Sequence, residues 1–285
     1  MRGRHTALPN RSGETPCRTS AFRFHHGPWT PDWTPSYQPP SITPPRPDAP
    51  LGLWATIAWG AAGIGALYLT YLLPLMLSTI TGSPVAMPTL YLPIDHMMVA
   101  AVVMAALWFN RRPLRQYLAL SRLGWGGVGR NIGIGLAAYV MFVILLTVLE
   151  VLRAGGLGAA PEGTAPAKVV LDTAMIMSLV AYWVVLVVAA PIAEEMLFRG
   201  LLYRGLEAKI GAIATIMVTS ILFGMVHYFG FGWPRAVATG CLGIMLGVIR
   251  WRTGNTTAAW VTHVTINFAA ASFFTAAILL AAWVL

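Results

Sequence analysis

The chain has 285 residues, of which 57% are hydrophobic and only 10% are charged, whereas soluble domains carry about 25% charged residues. So few charged side chains could not cover a water-soluble surface, and the composition therefore predicts a polytopic membrane protein. The net charge of +9 does not indicate nucleic-acid binding, because the arginines lie in the N-terminal tail and in short loops rather than on a recognition helix. We expect the lipid bilayer as a partner and no nucleic acid.

The first 50 residues differ in composition from the remainder of the chain. They hold six arginines and more than half of the 20 prolines, and they show no sustained apolar period. Such a segment cannot bury enough apolar surface to offset the entropy of ordering it. We therefore predict a disordered, Pro/Arg-rich cytoplasmic tail over residues 1–50, followed by a transmembrane helical domain over residues 51–285.

Apolar segments follow one another through the second region, and a helix needs about 20 residues to cross a bilayer. They lie near residues 53–80, 91–109, 131–152, 173–193, 211–229, 236–250 and 257–285. The fourth segment can run on to about residue 208, and the last can break near Ser272 into one further segment. The sequence thus predicts an all-α transmembrane helix bundle of about seven or eight spans.

The loop charges predict an orientation. The connection 110–130 carries five arginines, whereas the loop 81–95 has no lysine or arginine. Because positive loops stay on the cytoplasmic side, the N-terminus and the 110–130 connection are expected in the cytoplasm. The preference for arginine over lysine, with abundant alanine and glycine, indicates a bacterial cell membrane.

A small set of polar residues interrupts the apolar segments, and ionisable residues within membrane spans indicate a functional site. The set consists of Glu194, Glu195, Arg199, His227, His263 and Asn267. Glu195 and Arg199 are four residues apart, with the acid first, and are expected to pair. Glu194 is rotated by about 100° from Glu195 and faces elsewhere, whereas His263 and Asn267 share one helix face.

Counting residues predicts that these side chains meet at one depth. If the chain turns at Ile210–Gly211, Glu194 and His227 each lie about sixteen residues, or roughly 24 Å, from that turn. His263 returns close to the same layer after one further crossing. His96, beside Asp95 at the start of the second segment, is interpreted separately as an interfacial polar pair.

Two chemistries suit this set. In one, Glu194 activates water as a general base, a histidine orders that water, and a second histidine with Asn267 stabilises an oxyanion. In the other, Glu194, His227 and His263 bind a catalytic zinc ion. The familiar HExxH spacing of zinc proteases is absent, and the residues alone do not choose between the two.

Three ordered motifs carry a resemblance to a known family. They are EExxxR at residues 194–199, FxxxH at residues 223–227 and HxxxN at residues 263–267. Together they resemble the signature of the CPBP intramembrane proteases, the CAAX-protease and bacteriocin-processing (ABI) family. The resemblance covers a protease-like core at about residues 173–275.

The resemblance implies an intramembrane endopeptidase, with or without a metal. By resemblance, Glu194 and His227 activate the attacking water, His263 and Asn267 stabilise the oxyanion, and Glu195 and Arg199 brace the site. The expected substrate is a hydrophobic peptide or membrane-protein segment that enters from the bilayer. The alternatives are a non-proteolytic scaffold or bacteriocin-immunity protein, and a proton-coupled transporter.

Overall fold

The computed structural model describes residues 49–82, 92–156 and 171–284. All but the last two residues of the predicted tail lie outside these ranges, as do the centres of the predicted loops 81–95 and 153–171. The disordered tail, the cytoplasmic N-terminus and the bacterial origin therefore stay predictions.

The described residues form helices and contain no strand. In chain order the helices are α1 (Leu53–Thr81), α2 (Leu92–Phe109), α3 (Leu114–Tyr117), α4 (Trp125–Arg153), α5 (Thr173–Met225), α6 (Tyr228–Thr253) and α7 (Thr256–Val284). Four of them, α4 to α7, are long and apolar enough to cross a membrane, and α1 and α2 contain shorter apolar stretches. The predicted all-α transmembrane architecture is confirmed.

The long helix α5 contains the predicted turn at residues 210–211. Gly211 has a φ of 77° and a ψ of 167°, a backbone conformation that glycine adopts without steric cost. We call residues 173–210 α5a and residues 212–225 α5b. Phe198 of α5a packs edge-to-face on Phe223 of α5b at 5.2 Å, so the two segments form an antiparallel hairpin.

The connection from α5b to α6 keeps the two helices in close contact. Gly232, with a φ of 78°, breaks the start of α6 within the predicted turn at residues 230–235. A Cβ atom added to Gly224 would lie 2.5 Å from the backbone oxygen of Ala236. The absence of a side chain at Gly224 therefore lets the two backbones touch, as small residues do in membrane helix pairs.

Several boundaries differ from the sequence prediction, and two of the differences are informative. The break near Ser272 is wrong, because α7 is continuous over Thr256–Val284 and the Ser272 hydroxyl donates to the Phe268 carbonyl within the helix, at 2.8 Å. Helix α4 begins at Trp125, six residues before the predicted start. Its first turns contain several glycines, which indicate a loop when the sequence is read alone but are tolerated inside a packed helix.

Large apolar side chains cover the outer surface of the bundle. Trp54, Trp108 and Trp125 are 80%, 74% and 92% exposed, respectively. A soluble protein rarely exposes so much apolar surface, whereas a bilayer solvates it. Together with the long apolar helices, this surface supports an integral membrane protein.

Candidate active site

Helix α5a brings two carboxylates into the interior of the bundle between two π-helical segments. Glu194 and Glu195 end the α-helical segment Ala190–Glu195, which lies between the π-helices Val184–Ala189 and Met196–Leu202. Such π segments change the helical register and are frequent at functional sites. Both carboxylates are buried, with 6% and 1% of the residue exposed, respectively.

Pro191 explains one unusual feature of this helix. In the first π segment, each backbone N–H reaches the carbonyl five residues earlier, as the Ala190 N–H does to Val185. Pro191 has no N–H, so the next carbonyl in the series, that of Leu186, lacks its backbone partner. The side-chain amide of Asn267 donates to the Leu186 oxygen instead, at 2.8 Å.

Glu195 is held by two partners. Arg199 Nη1 donates to Glu195 Oε1 at 3.1 Å, so the pair predicted from the spacing is present. His263 Nδ1 lies 2.9 Å from the same oxygen. These contacts join α5a to α7 and fix the orientation of the imidazole.

Arg199 extends this connection to two further helical segments. It is 1% exposed, and its Nη2 donates to the Gly243 carbonyl of α6 at 3.0 Å. Its guanidinium lies 4.5 Å from the centre of the Phe223 ring of α5b, within cation–π range. Arg199 therefore braces α5a against α5b and α6.

Glu194 has a different environment from that of its neighbour. Its Oε2 lies 3.7 Å from His263 Nε2, and its Oε1 lies 3.7 Å from His96 Nε2. Both distances exceed a hydrogen bond, so the carboxylate faces two imidazoles and makes a direct hydrogen bond to neither. This geometry suits a group that exchanges a proton with water.

His227 reaches the same region from the end of α5b. Its Nδ1 lies 2.8 Å from the Phe223 carbonyl oxygen. The carbonyl accepts a hydrogen bond from Nδ1–H, so a neutral ring has its lone pair on Nε2, which can act as an acceptor. The FxxxH spacing thus has a structural reason, because the backbone of its first residue orients the ring of its last.

Two adjoining cavities meet at Glu194 and His227. The first, which we call the α7-side cavity, has a volume of about 270 Å³ and is also lined by His263 and Asn267. Its other walls are mainly apolar and aromatic, with contributions from α4 and α7. A concave apolar cavity with a few convergent polar groups is typical of a substrate site.

The second cavity lies on the other side of Glu194. This α2-side cavity has a volume of about 180 Å³. Asp95 and His96 line only this cavity, whereas Glu194, His227 and Arg235 line both. Glu194 therefore lies between two cavities of different composition.

The structure brings four of the six predicted residues to one cavity, namely Glu194, His227, His263 and Asn267. Glu195 and Arg199 lie behind them as buried partners. Asp95 and His96 form the predicted polar pair, with His96 Nδ1 2.6 Å from Asp95 Oδ1, but Asp95 is buried and His96 also faces Glu194. The same signal that identified the other histidines, an ionisable residue within an apolar segment, also applied to His96.

The arrangement of these side chains gives no support to a bound metal. Among residues 49–82, 92–156 and 171–284, no group of three or more His, Cys, Asp or Glu side chains is arranged to hold a metal ion. We therefore derive no catalytic step through zinc.

The comparisons with known proteins agree with the motifs. Residues 176–269 match the family model of the type II CAAX prenyl endopeptidase Rce1-like proteins, which confirms the resemblance. The match supports a CAAX-type intramembrane protease, a hydrolase with a peptide substrate, and does not favour a scaffold or a transporter. It does not support a metalloprotease. Comparisons with curated proteins and with solved structures found no match.

Proposed function

We propose that this chain is an intramembrane endopeptidase that uses Glu194 and His227 to activate water and His263 and Asn267 to stabilise the oxyanion. The observation that carries the proposal is the convergence of these four side chains on one buried cavity with apolar walls. Groups that activate water and groups that donate hydrogen bonds are both needed at an acyl centre.

Glu194 is the general base in this mechanism. Its carboxylate lies within the apolar bundle, and its nearest imidazole nitrogens are 3.7 Å away. Because no hydrogen bond to these rings has to break first, the carboxylate can accept a proton from water with little rearrangement. His227 presents an acceptor Nε2 to the same cavity and orders the water. The water oxygen bonds to the carbonyl carbon of the substrate while its proton moves to Glu194.

The developing oxyanion is stabilised by His263 and Asn267. The Asn267 amide has two N–H groups and uses one on the Leu186 carbonyl, which leaves the other for the substrate. His263 faces Glu195 with Nδ1 and the cavity with Nε2, and it stabilises the oxyanion through an N–H at Nε2. Collapse of the tetrahedral intermediate breaks the C–N bond, and Glu194 returns the proton to the leaving amine.

Glu195 and Arg199 act as positioning residues. The Glu195 carboxylate holds the His263 ring, while Arg199 compensates the charge of Glu195 and ties α5a to α6. Neither lines the α7-side cavity, so their contribution is the orientation of His263.

The substrate class follows from the walls of the cavity. Tyr139, Phe142 and Phe274 contribute aromatic surface to the α7-side cavity, and the surrounding bundle surface is apolar. A hydrophobic peptide or membrane-protein segment that enters from the bilayer matches this surface.

Membrane peptidomics tests the proposal by comparing cells that express the parent protein with cells that express Glu194→Gln. The expected result is a set of cleaved membrane peptides that is present with the parent and absent with the variant at equal membrane abundance. Glu150→Gln is the control, because Glu150 forms an exposed pair with Arg153 away from both cavities. Identical peptide sets for the parent and Glu194→Gln would overturn the proposal and favour the non-proteolytic scaffold instead.

A further inference from the structure

Two carboxylate–imidazole pairs flank Glu194 in a nearly symmetric arrangement. On one side His263 contacts Glu195 through Nδ1, and its Nε2 lies 3.7 Å from Glu194 Oε2. On the other side His96 contacts Asp95 Oδ1 through Nδ1 at 2.6 Å, and its Nε2 lies 3.7 Å from Glu194 Oε1. Each oxygen of Glu194 thus faces one imidazole that is backed by its own acid.

We propose that Asp95 and His96 form a positioning pair that holds the Glu194 carboxylate in its reactive orientation. This inference rests on the proposed role of Glu194 as the base. The pair belongs to α2, which lies outside the matched residues 176–269, so it is a feature of this chain that the family match does not contain.

Helix α2 holds the pair rigidly against α5a. One face of α2 is buried, because residues spaced by three or four positions along it are each at most 4% exposed. These residues are Asp95, Val99, Val103 and Ala106. The three apolar members of that face belong to the same core cluster as Ala193 and Leu197 of α5a. His96 is thereby fixed beside Glu194 by packing that continues for several helical turns.

The chemistry of an imidazole between two carboxylates gives the pair its function. Such a ring attracts both acids only when both of its nitrogens carry protons, because an unprotonated nitrogen would face an oxygen lone pair. With Asp95 behind it, His96 presents an N–H to Glu194 Oε1. This interaction holds the carboxylate so that Oε2 faces His263 and the α7-side cavity, where the substrate carbonyl is attacked.

The charges around the α2-side cavity are consistent with a cationic His96. Three acids, Asp95, Glu194 and Glu195, lie in and behind the site, and the guanidinium of Arg199 is committed to Glu195. The titratable groups that line the cavity with His96 are Asp95, Tyr182, Glu194, His227 and Arg235. A protonated His96 between two of these acids reduces the net negative charge next to the base.

The experiment measures kcat and KM in the full-length protein, using a fluorogenic peptide that carries a cleavage site identified in the peptidomic comparison. His96→Leu removes the imidazole that faces Glu194 and is expected to lower kcat about 10- to 100-fold, the size of one lost charge interaction in a buried site, with KM unchanged within about twofold. His96→Gln places an amide nitrogen near the position of Nε2, and we expect it to recover at least a third of the parent kcat. Asp95→Asn should lower kcat by less than His96→Leu.

The controls separate positioning from folding and from failure of the proposed function. Met97→Leu alters the next residue on α2, which is 68% exposed, and should leave kcat and the unfolding temperature unchanged. A parent-like kcat in His96→Leu would overturn the inference, and so would equal losses of kcat in His96→Leu and His96→Gln. The proposed function would still hold in either case if the parent is active and Glu194→Gln is inactive. Losses in all three variants that track a lowered unfolding temperature would also overturn it, by assigning the pair a structural role. No Glu194-dependent cleavage by the parent would instead reject the proposed function itself.

Discussion

Glu194 and Glu195 are neighbours in the sequence and are both buried, yet their surroundings differ in kind. Glu195 shares one oxygen between Arg199 and His263 at hydrogen-bonding distances. Glu194 lines two cavities and has its nearest imidazole nitrogens at 3.7 Å. Because adjacent helical residues are rotated by about 100°, the Glu195 carboxylate is tied into the packing of the bundle, whereas the Glu194 carboxylate faces the two cavities.

Substitution of each acid by glutamine should affect a different property, activity for Glu194 and stability for Glu195. Glu194→Gln should lower kcat by about 10³-fold or more, within the range for loss of a general base, with an unfolding temperature close to that of the parent. Glu195→Gln should instead destabilise the protein by about 3–5 kcal/mol, because Arg199 would keep a buried charge without its acid. Enzyme kinetics and thermal unfolding in detergent measure the two effects.

The exposed pair Glu150–Arg153 is the matched control for Glu195. Glu150→Gln should change the free energy of unfolding by less than about 1 kcal/mol, since exposed ion pairs contribute little. Equal stability losses for Glu194→Gln and Glu195→Gln would contradict the division of roles between the two acids.

A smaller effect is expected on the Asn267 side of the site. Asn267→Ala removes the amide that contacts the Leu186 carbonyl and should lower kcat about 10²-fold, as for one oxyanion donor, with a smaller change in KM. Asn267→Asp restores the size of the side chain but not the N–H donors, and should remain as inactive. Recovery of activity in Asn267→Asp would show that shape, rather than hydrogen bonding, is what the site needs from this residue.

Removal of divalent metal should have the smallest effect. The described side chains offer no group of three suitable ligands, and the mechanism derived from them needs only water and protein groups. We expect cleavage to continue after exhaustive treatment with a strong chelator. Loss of activity that returns on addition of zinc would place Glu194, His227 and His263 around a metal ion and would replace the general-base role of Glu194.

Much of this site could be predicted because its geometry is local or follows from counting. The Glu195–Arg199 pair depends on a spacing of four residues within one helix. The common depth of Glu194 and His227 required only the turn at Gly211, and the packing of Phe198 on Phe223 confirms the hairpin. Helical rise and a glycine at the turn were sufficient for both.

The remaining features depend on which helices pack together, and the sequence carries little information about that. The approach of His96 to Glu194 requires α2 to lie against α5a, and residue counting along the chain could not predict which helices pack together. The π segments change which residues of α5a face each neighbour, and no periodicity of apolar residues marked them. A serine in an apolar segment suggested a break at Ser272. In the structure its hydroxyl donates a hydrogen bond to the Phe268 carbonyl of the same helix, which the residue type alone does not reveal.

Because Pro191 in α5a has no N–H, the hydrogen bonding of this helix is completed only when the bundle assembles. Until α7 docks, the Leu186 oxygen faces an apolar interior with no donor to satisfy it, and an unsatisfied carbonyl in such a medium is costly. Docking of α7 brings the Asn267 amide to the Leu186 oxygen and removes that cost, and it also places Asn267 at the α7-side cavity. A nascent chain that lacks its last helix would thus keep a local defect beside the two acids, so hydrolytic competence would arise only once the C-terminal span is in place.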